Sequence, residues 1–442
     1  MHVETVLQFI IGVLVIVLGL AVSIGLHEVG HLVPAKLFGV KVTQYMIGFG
    51  PTLWSRRRGE TEYGLKAIPM GGYISMIGMF PPAKTGGAVR TASTGFFNTL
   101  VQDAREVSAE TIGDDDDRSF YRLPVWKRII IMAGGPAMNF VIAIVVFAIV
   151  LCGFGLSTTT IGSISQCVLP ATSERQTCEA SDTPGPGVTA GFQEGDIITA
   201  IDGVPVADWN ESTAIIQKSP NKSLSVEVQR DGGQTTLTVV PLLAERYVQN
   251  ADGEQKLDAD GQPVTQEVGF VGIGPKQELV PQSPAAVLPF VGENIANVVN
   301  LILHLPQRLV DVANAAFGPG ERDPNGPISV VGVGRAAGEI ASIEQVPLGS
   351  KVASLLGLVG SLNVALGVIN LVPLMPLDGG HIAGALWEGI RRGFAKLFKR
   401  RDPGPVDTAR LMPLTFGVVI VLGAMSALLI YADIVKPINL FG

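Results

Sequence analysis

The sequence predicts a polytopic α-helical membrane protein: four transmembrane helices, a small membrane-associated β-sheet and one extracytoplasmic α+β domain. Three observations carry this. Mean hydropathy is +0.39 with only 16% charged residues in 442, a balance that excludes a wholly soluble chain. The apolar residues gather in blocks, Val6 to Leu26, Ile129 to Leu156, Val352 to Leu374 and Leu414 to Tyr431, each near the ~20 residues a helix needs to cross ~30 Å of hydrocarbon. Lys and Arg collect between the blocks, 12 of them in 39–128 and 7 in 391–410, whereas 157–350 holds 23 acids against 10 bases. Basic flanks mark the cytoplasmic side. Both basic loops are therefore expected in the cytoplasm, and both termini, with most of the net charge of -7, outside a multi-pass protein of the cell membrane. The same flanks account for the basic residues, so no nucleic-acid surface is expected.

The first helix, within 1–38, lacks a Lys/Arg stretch ahead of its apolar run and a small-residue cleavage site after it, so it reads as a retained span and not a signal peptide. It ends in a polar cluster, His27-Glu28-Val29-Gly30-His31. His27 and His31 lie one turn apart on one helix face, which suits two ligands of one metal ion, with Glu28 beside a metal-bound water. A lone histidine in an apolar helix is more often a packed, hydrogen-bonded side chain. Three ionisable groups at a membrane helix end need a stronger reason, because each charged type costs about 2.5 to 3.5 kcal/mol on insertion scales. Coordinated zinc is such a reason.

The loop 39–127 opens with loosely alternating stretches, Val42 to Pro51, Glu62 to Pro69 and Gly71-Gly72-Tyr73-Ile74, which read as short strands beside the metal helix. An exposed strand edge there can hold a peptide extended by strand addition; a passive cap over the loop is the plainer reading. Residues 81–117, rich in Gly, Thr, Ala and Ser and ending in four aspartates, read as a flexible acidic insertion. The second span, 128–156, opens with Gly134-Gly135-Pro136-Ala137-Met138-Asn139. Small residues permit close helix contact, and Asn139 serves either as a clamp on substrate or oxyanion or as an interhelical hydrogen bond. Cys167 and Cys178, just beyond it on the outer side, are candidates for a disulfide that their spacing leaves open.

From 161 to 275 turns are frequent and strands alternate. Leu224 to Arg230 and Thr235 to Val240 form a hairpin around Asp231-Gly232-Gly233, and Asp202-Gly203 marks another turn. This segment resembles a PDZ domain in Ala190 to Ile198 and Val268 to Gly274, which implies a groove for a peptide end or strand. Tyr247 to Val264 reads as an inserted hairpin or loop, and 276–350 as an amphipathic interfacial segment. The third span, 351–390, contains Asn370-Leu-Val-Pro-Leu-Met-Pro-Leu-Asp378-Gly-Gly-His381. Unwound backbone at two prolines is tolerated in a membrane only where protein or a cavity receives it. Asp378 there is the natural third ligand to a zinc that keeps one open position, with His381 the runner-up. A basic loop, 391–411, and a fourth span, 412–432, complete the chain.

Taken in order, His27 to His31, Gly135 to Asn139, the PDZ-like segment and Asn370 to Gly380 resemble site-2 proteases of the bacterial regulator-of-sigma-E type, and the single PDZ-like segment and the acidic insertion look closer to actinobacterial members. Met375, where many relatives have proline, is one departure from the family's pattern. The resemblance implies Zn2+ held by His27, His31 and Asp378, with Glu28 as general base. It implies a zinc metalloendopeptidase that cuts within the spanning helix of single-pass proteins such as anti-sigma factors, after an upstream site-1-type protease has trimmed them outside the bilayer. A helical peptide bond is shielded, so substrate must be held extended; Gly71, Gly72, Tyr73, Asn139 and Asn370 are the candidates. Two other readings compete: a membrane-anchored PDZ adaptor with a structural metal, and a zinc transporter, which would need a path of intramembrane acids beyond Glu28 and Asp378.

Overall fold

The computed structural model describes residues 3–79, 116–157, 159–169, 177–179, 182–206, 209–247, 265–276, 279–318, 322, 326–343, 346–406 and 411–437. The expected acidic insertion lies outside these residues except for Asp116 and Asp117, and the expected 247–264 insertion does so except for Tyr247. The chain divides into two compact units, one formed by Met1–Ile149 with Ala285–Ile438 and the other by Val150–Pro284.

The first unit begins with helix α1, Val3–Leu37, whose apolar run leaves no alternative to internal backbone pairing in lipid. Glu4 in its first turn and Lys36 in its last complement the helix dipole. Strands β1, Val42–Arg58, and β2, Thr61–Met76, follow. They are longer than the expected pieces, running straight through Gly50-Pro51. Residues 44–47 of β1 face Glu62–Leu65 on one side and Gly72–Ser75 on the other, so two bent strands make a curled sheet with Gly72–Ser75 at its rim. Helix α2, Val125–Ala148, runs on into a wider turn, Ile149–Phe154. A shared core of Leu32, Ala35, Val40, Val42, Met76, Phe120 and Ile131 fixes α1, the sheet and the start of α2 to one another.

The second unit holds two short helices, α3, Pro186–Ala190, and α4, Trp209–Gln217. Its four-stranded sheet runs in the order Val204–Pro205, Ile197–Ile201, Leu224–Arg230, Gly233–Val239. Strict alternation in Leu224–Arg230 sends Leu224, Val226 and Val228 into a core with Ile161, Ile198, Ile201 and Val271. Its hairpin turn carries Asp231 at φ 50° and Gly232 at φ 81°, the two positive values that a right-twisting two-residue hairpin requires. Cys167 and Cys178 form a disulfide.

The first unit resumes with α5, Val287–Leu303, and α6, Leu305–Phe317, then α7, Val330–Ser342, α8, Leu348–Asn370, α9, Asp378–Leu397, and α10, Met412–Val435. The expected third span is thus two helices, because Pro373 and Pro376 cannot continue α8. Five helices among the described residues are long and apolar enough to cross a membrane: the four expected and Pro284–Leu303.

Contacts fix how the helices run. Gly19 and Ser23 of α1 meet Val359 and Asn363 of α8, the Asn363 amide donating to Ser23 Oγ at 2.9 Å, so these two helices run the same way. Gly360 and Gly367 of α8 pack on Phe147 and Phe140 of α2, which runs the opposite way. Small residues set these approaches: a Cβ on Gly30 of α1 would lie 2.2 Å from the Gly134 carbonyl oxygen of α2.

Candidate metal centre

The close crossing of α1 and α2 and the sharp turn before α9 bring three side chains to one point. His27 Nε2 and His31 Nε2 are 3.2 Å apart, and Asp378 Oδ2 lies 3.4 Å from the first and 3.3 Å from the second. Among the described residues these three form the one group of His, Cys, Asp and Glu side chains arranged to hold a metal ion. Asp378 is the first residue of α9, and its approach depends on two glycines behind it. A Cβ on Gly379 would lie 2.3 Å from the Val372 carbonyl oxygen, and one on Gly380 2.7 Å from the Met375 nitrogen. The Met375–Pro376 peptide in this turn is cis.

The donor set fits zinc. His31 Nδ1 lies 2.7 Å from the Ile131 carbonyl oxygen. A carbonyl can only accept, so Nδ1 carries the ring proton and Nε2 presents a lone pair inward. His27 Nε2 and an Asp378 carboxylate oxygen converge on the same point as that lone pair, two imidazole nitrogens and one carboxylate oxygen gathered as the ligands of a cation are. Ligand atoms about 2.0–2.1 Å from a tetrahedral zinc stand about 3.3 Å from each other, which is the spacing found. Two imidazoles and one carboxylate leave the fourth position open for water or substrate.

Around this triangle the supporting groups are specific. Asn139, 1% exposed, places its side-chain amide 3.1 Å from His27 Nδ1. The atom placed there is Nδ2, and Oδ1 is buried without a partner; turning the amide over about its terminal bond satisfies both groups, since with Nε2 directed at the metal Nδ1–H donates and Oδ1 accepts. Of the two roles the sequence leaves open for Asn139, a clamp on substrate or an interhelical hydrogen bond, the structure shows a contact of the second kind, between α2 and His27 of α1. Gly135 lies against both rings, and a Cβ there would sit 2.2 Å from His31 Nε2 and 2.7 Å from His27 Nε2.

Glu28, 8% exposed, sits beside the triangle, where its carboxylate accepts the Ile74 N–H of the sheet rim. Gly72 is the neighbouring rim residue, and a Cβ on it would lie 3.0 Å from Glu28 Cγ. Tyr73 stacks on Phe49 and donates its hydroxyl to Gln44 at 3.3 Å; a Cβ on Gly71 would collide with the Phe49 ring. The rim thus stands next to Glu28, and the three rim candidates are adjacent in the fold as well as in sequence. Asn370 is the last residue of α8. His381 does not join the donor triangle; it lines a small cavity with Arg128 and Glu388, one turn further along α9.

Two of these partners were not singled out from sequence. The Ile131 carbonyl is main chain and carries no residue signature. Gly135 was read only as part of a close-packing patch; the adjacent Gly134-Gly135 pair opposite a helix bearing Gly30 is the signal that marks the crossing.

The model of peptidase family M50 matches residues 15–401. The chain is 33% identical over 445 residues to zinc metalloprotease Rip1 of Mycobacterium bovis, covering 98% of this chain and 100% of that protein. It is 34% identical over 450 residues to zinc metalloprotease Rip1 of Mycolicibacterium smegmatis, with the same shares covered. To metalloprotease MmpA of Caulobacter vibrioides it is 28% identical over 395 residues, 87% of this chain and 88% of that one.

Proposed function

The chain belongs to peptidase family M50 and is a zinc metalloprotease of the membrane; from that premise we propose that it cuts single-pass membrane proteins within their spanning helices, anti-sigma factors already trimmed by an upstream protease among them. The observation that carries this is the donor triangle of His27, His31 and Asp378 with Glu28 alongside, built at the inner ends of apolar helices. His27, His31 and Asp378 hold the zinc ion. Once bound, the metal polarises the scissile carbonyl and lowers the pKa of water to about 7. Glu28 accepts the proton of the attacking water and hands it to the leaving amine. Asn139 keeps the His27 ring in the tautomer that frees Nε2, and the Ile131 carbonyl does the same for His31.

Substrate must arrive unwound, since a helical peptide bond is internally paired and shielded. The rim at Gly71, Gly72 and Tyr73 abuts Glu28 and is suited to hold an extended segment by main-chain pairing. Asn370, at the end of α8 ahead of Asp378, is proposed as a further substrate contact.

The second unit is read as a PDZ-like domain. A groove between α4 and strand Thr265–Phe270, lined by Ser212, Ile216, Val268 and Phe270, supports that reading; the Arg246 guanidinium stacks 3.7 Å from the Phe270 ring centroid at its base. Helix directions support four spans. With α1 and α8 running one way and α2 the other, the end of α2 and the start of α8 share a side, so the segment between them crosses an even number of times or not at all. Phe290 of α5 packs on Phe147 near the end of α2, and Val312 and Ala316 of α6 pack on Leu429 and Ala432 near the end of α10. Both ends of the α5–α6 pair thus sit near one side, the outer one by the distribution of Lys and Arg.

The decisive experiment uses purified chain with a single-pass substrate. Glu28→Gln should retain zinc and lose cleavage by about 10²–10⁴-fold; cleavage unchanged by that substitution refutes the assignment. Single-pass fragments that accumulate in cells carrying Glu28→Gln, identified by mass spectrometry, name the substrate.

A further inference from the structure

Helix α9 has two faces with opposite fates. Gly379, Gly380, Ala385 and Glu388 are buried, the last accepting from Arg128 Nη2 of α2 at 2.5 Å and from the Val406 N–H at 2.9 Å. The other face is left uncovered by the described residues: Trp387 is 57% exposed, Phe394 58% and Leu397 74%, with Leu386, Ile390 and Phe398 also exposed. These residues recur at three- and four-residue intervals and form one continuous apolar stripe.

Charge is arranged around that stripe. The helix ends with Lys399 at φ 51°, the Lys399 N–H bonding the Lys396 carbonyl at 3.2 Å and the Arg400 N–H reaching the Ala395 carbonyl at 2.7 Å. This is a left-handed C-terminal turn, and it folds the chain back on itself. Arg400 and Arg401 are thereby returned to the same shallow groove as Arg391, over a floor of Trp387, Ile390 and Phe394. None of these three arginines makes an ion pair among the described residues. The neighbouring Arg392, by contrast, is held by Glu388 at 3.1 Å. Three guanidinium groups gathered over exposed aromatic carbon match a partner with an anionic head and an apolar body, and a guanidinium fork suits phosphate oxygens.

We propose that the C-terminal half of α9 lies in the lipid–water interface and that Arg391, Arg400 and Arg401 bind the phosphate of an anionic phospholipid whose acyl chains run over Trp387, Ile390 and Phe394. The same helix starts at Asp378. A lipid held at one end therefore fixes the axis of the element that delivers a carboxylate to the metal triangle at the other.

Trp387 is its own reporter. Full-length chain and Trp387→Phe are reconstituted in nanodiscs carrying brominated phosphatidylglycerol or, at equal mole fraction, brominated phosphatidylcholine, and the difference isolates Trp387 fluorescence. The expected result is quenching about twofold or more stronger from the phosphatidylglycerol, reduced to the phosphatidylcholine level by Arg391→Gln/Arg400→Gln/Arg401→Gln. That variant should keep full zinc content, which shows that it folds. Equal quenching by the two lipids, or a difference that survives the triple substitution, overturns headgroup recognition. Quenching by neither lipid removes the face from the membrane. Displacement of the phosphatidylglycerol signal by inorganic phosphate at matched ionic strength reduces the groove to a simple anion site and overturns the lipid assignment.

Discussion

His27, Glu28, His31 and Asp378 are visible in sequence because their chemistry is costly where they stand: ionisable side chains at the ends of apolar helices need a partner, and the i, i+4 spacing names the geometry. What surrounds them is less legible. Asn139 was noticeable as an amide in lipid, but its target was not, since one amide pairs equally well with substrate or ring nitrogen. The contact with His27 Nδ1 leads to a prediction that separates the two roles. Asn139→Ala should weaken zinc binding about 10–100-fold, the usual consequence of losing a group that orients a metal-bound histidine, and Asn139→Asp, which keeps an acceptor, should restore most of it. Zinc titration reads the result, and an Ala variant that bound zinc normally while its KM rose would return Asn139 to the substrate. Gly135 makes a sharper case. A methyl group there must enter the space of both ligand rings, at 2.2 Å and 2.7 Å from their Nε2 atoms, with rigid helix behind it. Gly135→Ala should abolish stoichiometric zinc while leaving the helices inserted, measured as metal content of detergent-extracted protein.

At the scale of elements, legibility followed the strength of local pattern. Leu224–Arg230 alternates strictly and is a strand; Pro373 and Pro376 forbid helix and α8 ends at Asn370. Helices α5 and α6 were read as one amphipathic segment because Glu293, His304, Pro306, Arg308 and Asp311 interrupt the apolar run, and the break at His304 is a matter of local geometry. Ion pairs across elements left no trace in the sequence at all. Asp196, buried behind the sheet of the second unit, accepts from Arg230 Nε at 2.7 Å, from Arg230 Nη2 at 2.8 Å and from the Gln193 N–H at 2.9 Å. Burial pushes its carboxyl up, but the guanidinium and the main-chain N–H outweigh that and hold it below the usual carboxylate value. A carboxyl lowered in the folded state adds stability that is fully present above its unfolded value of about 3.9 and is lost as pH falls through the folded value. Amide exchange in Ile197–Ile201 and Leu224–Arg230 of the full chain, taken relative to the intrinsic rate at each pH, should therefore accelerate below about pH 4. Asp196→Asn should accelerate it at neutral pH, by an opening cost of about 1–3 kcal/mol, and flatten the acid dependence. Acid acceleration that persisted unchanged in Asp196→Asn would assign it to another group.

For the molecule as a whole, the governing fact is that α1 and α8 run together against α2, so distant parts of the chain enter the metal triangle from one side and everything between α2 and α8 begins and ends on the other. Sequence supplied the spans and their charge bias; it could not supply which helices touch, since glycine-to-backbone contacts such as Gly30 on Gly134 have no side chain to pattern. One consequence is topological. In a Cys152→Ser background, Gln307→Cys on α6 should react with a membrane-impermeant maleimide in intact cells and Arg57→Cys on β1 only after lysis; reaction of Gln307→Cys after lysis alone would mean that α5 crosses the membrane. A second consequence concerns order of action. The whole unit 150–284 is inserted in the chain between α2 and α5, and its proposed role is to exclude bulky ectodomains. If it excludes such domains, replacing 161–275 by a flexible linker should let the enzyme cut substrates that have not been trimmed, at a rate approaching that on trimmed ones. The metal triangle lies wholly in the other unit, so zinc content and cleavage of trimmed substrate serve as internal controls for the shortened chain. A shortened chain that passes both controls yet leaves intact substrates uncut shows that trimming is required for some step other than entry, such as exposing a new terminus, and the size-filter account is then lost.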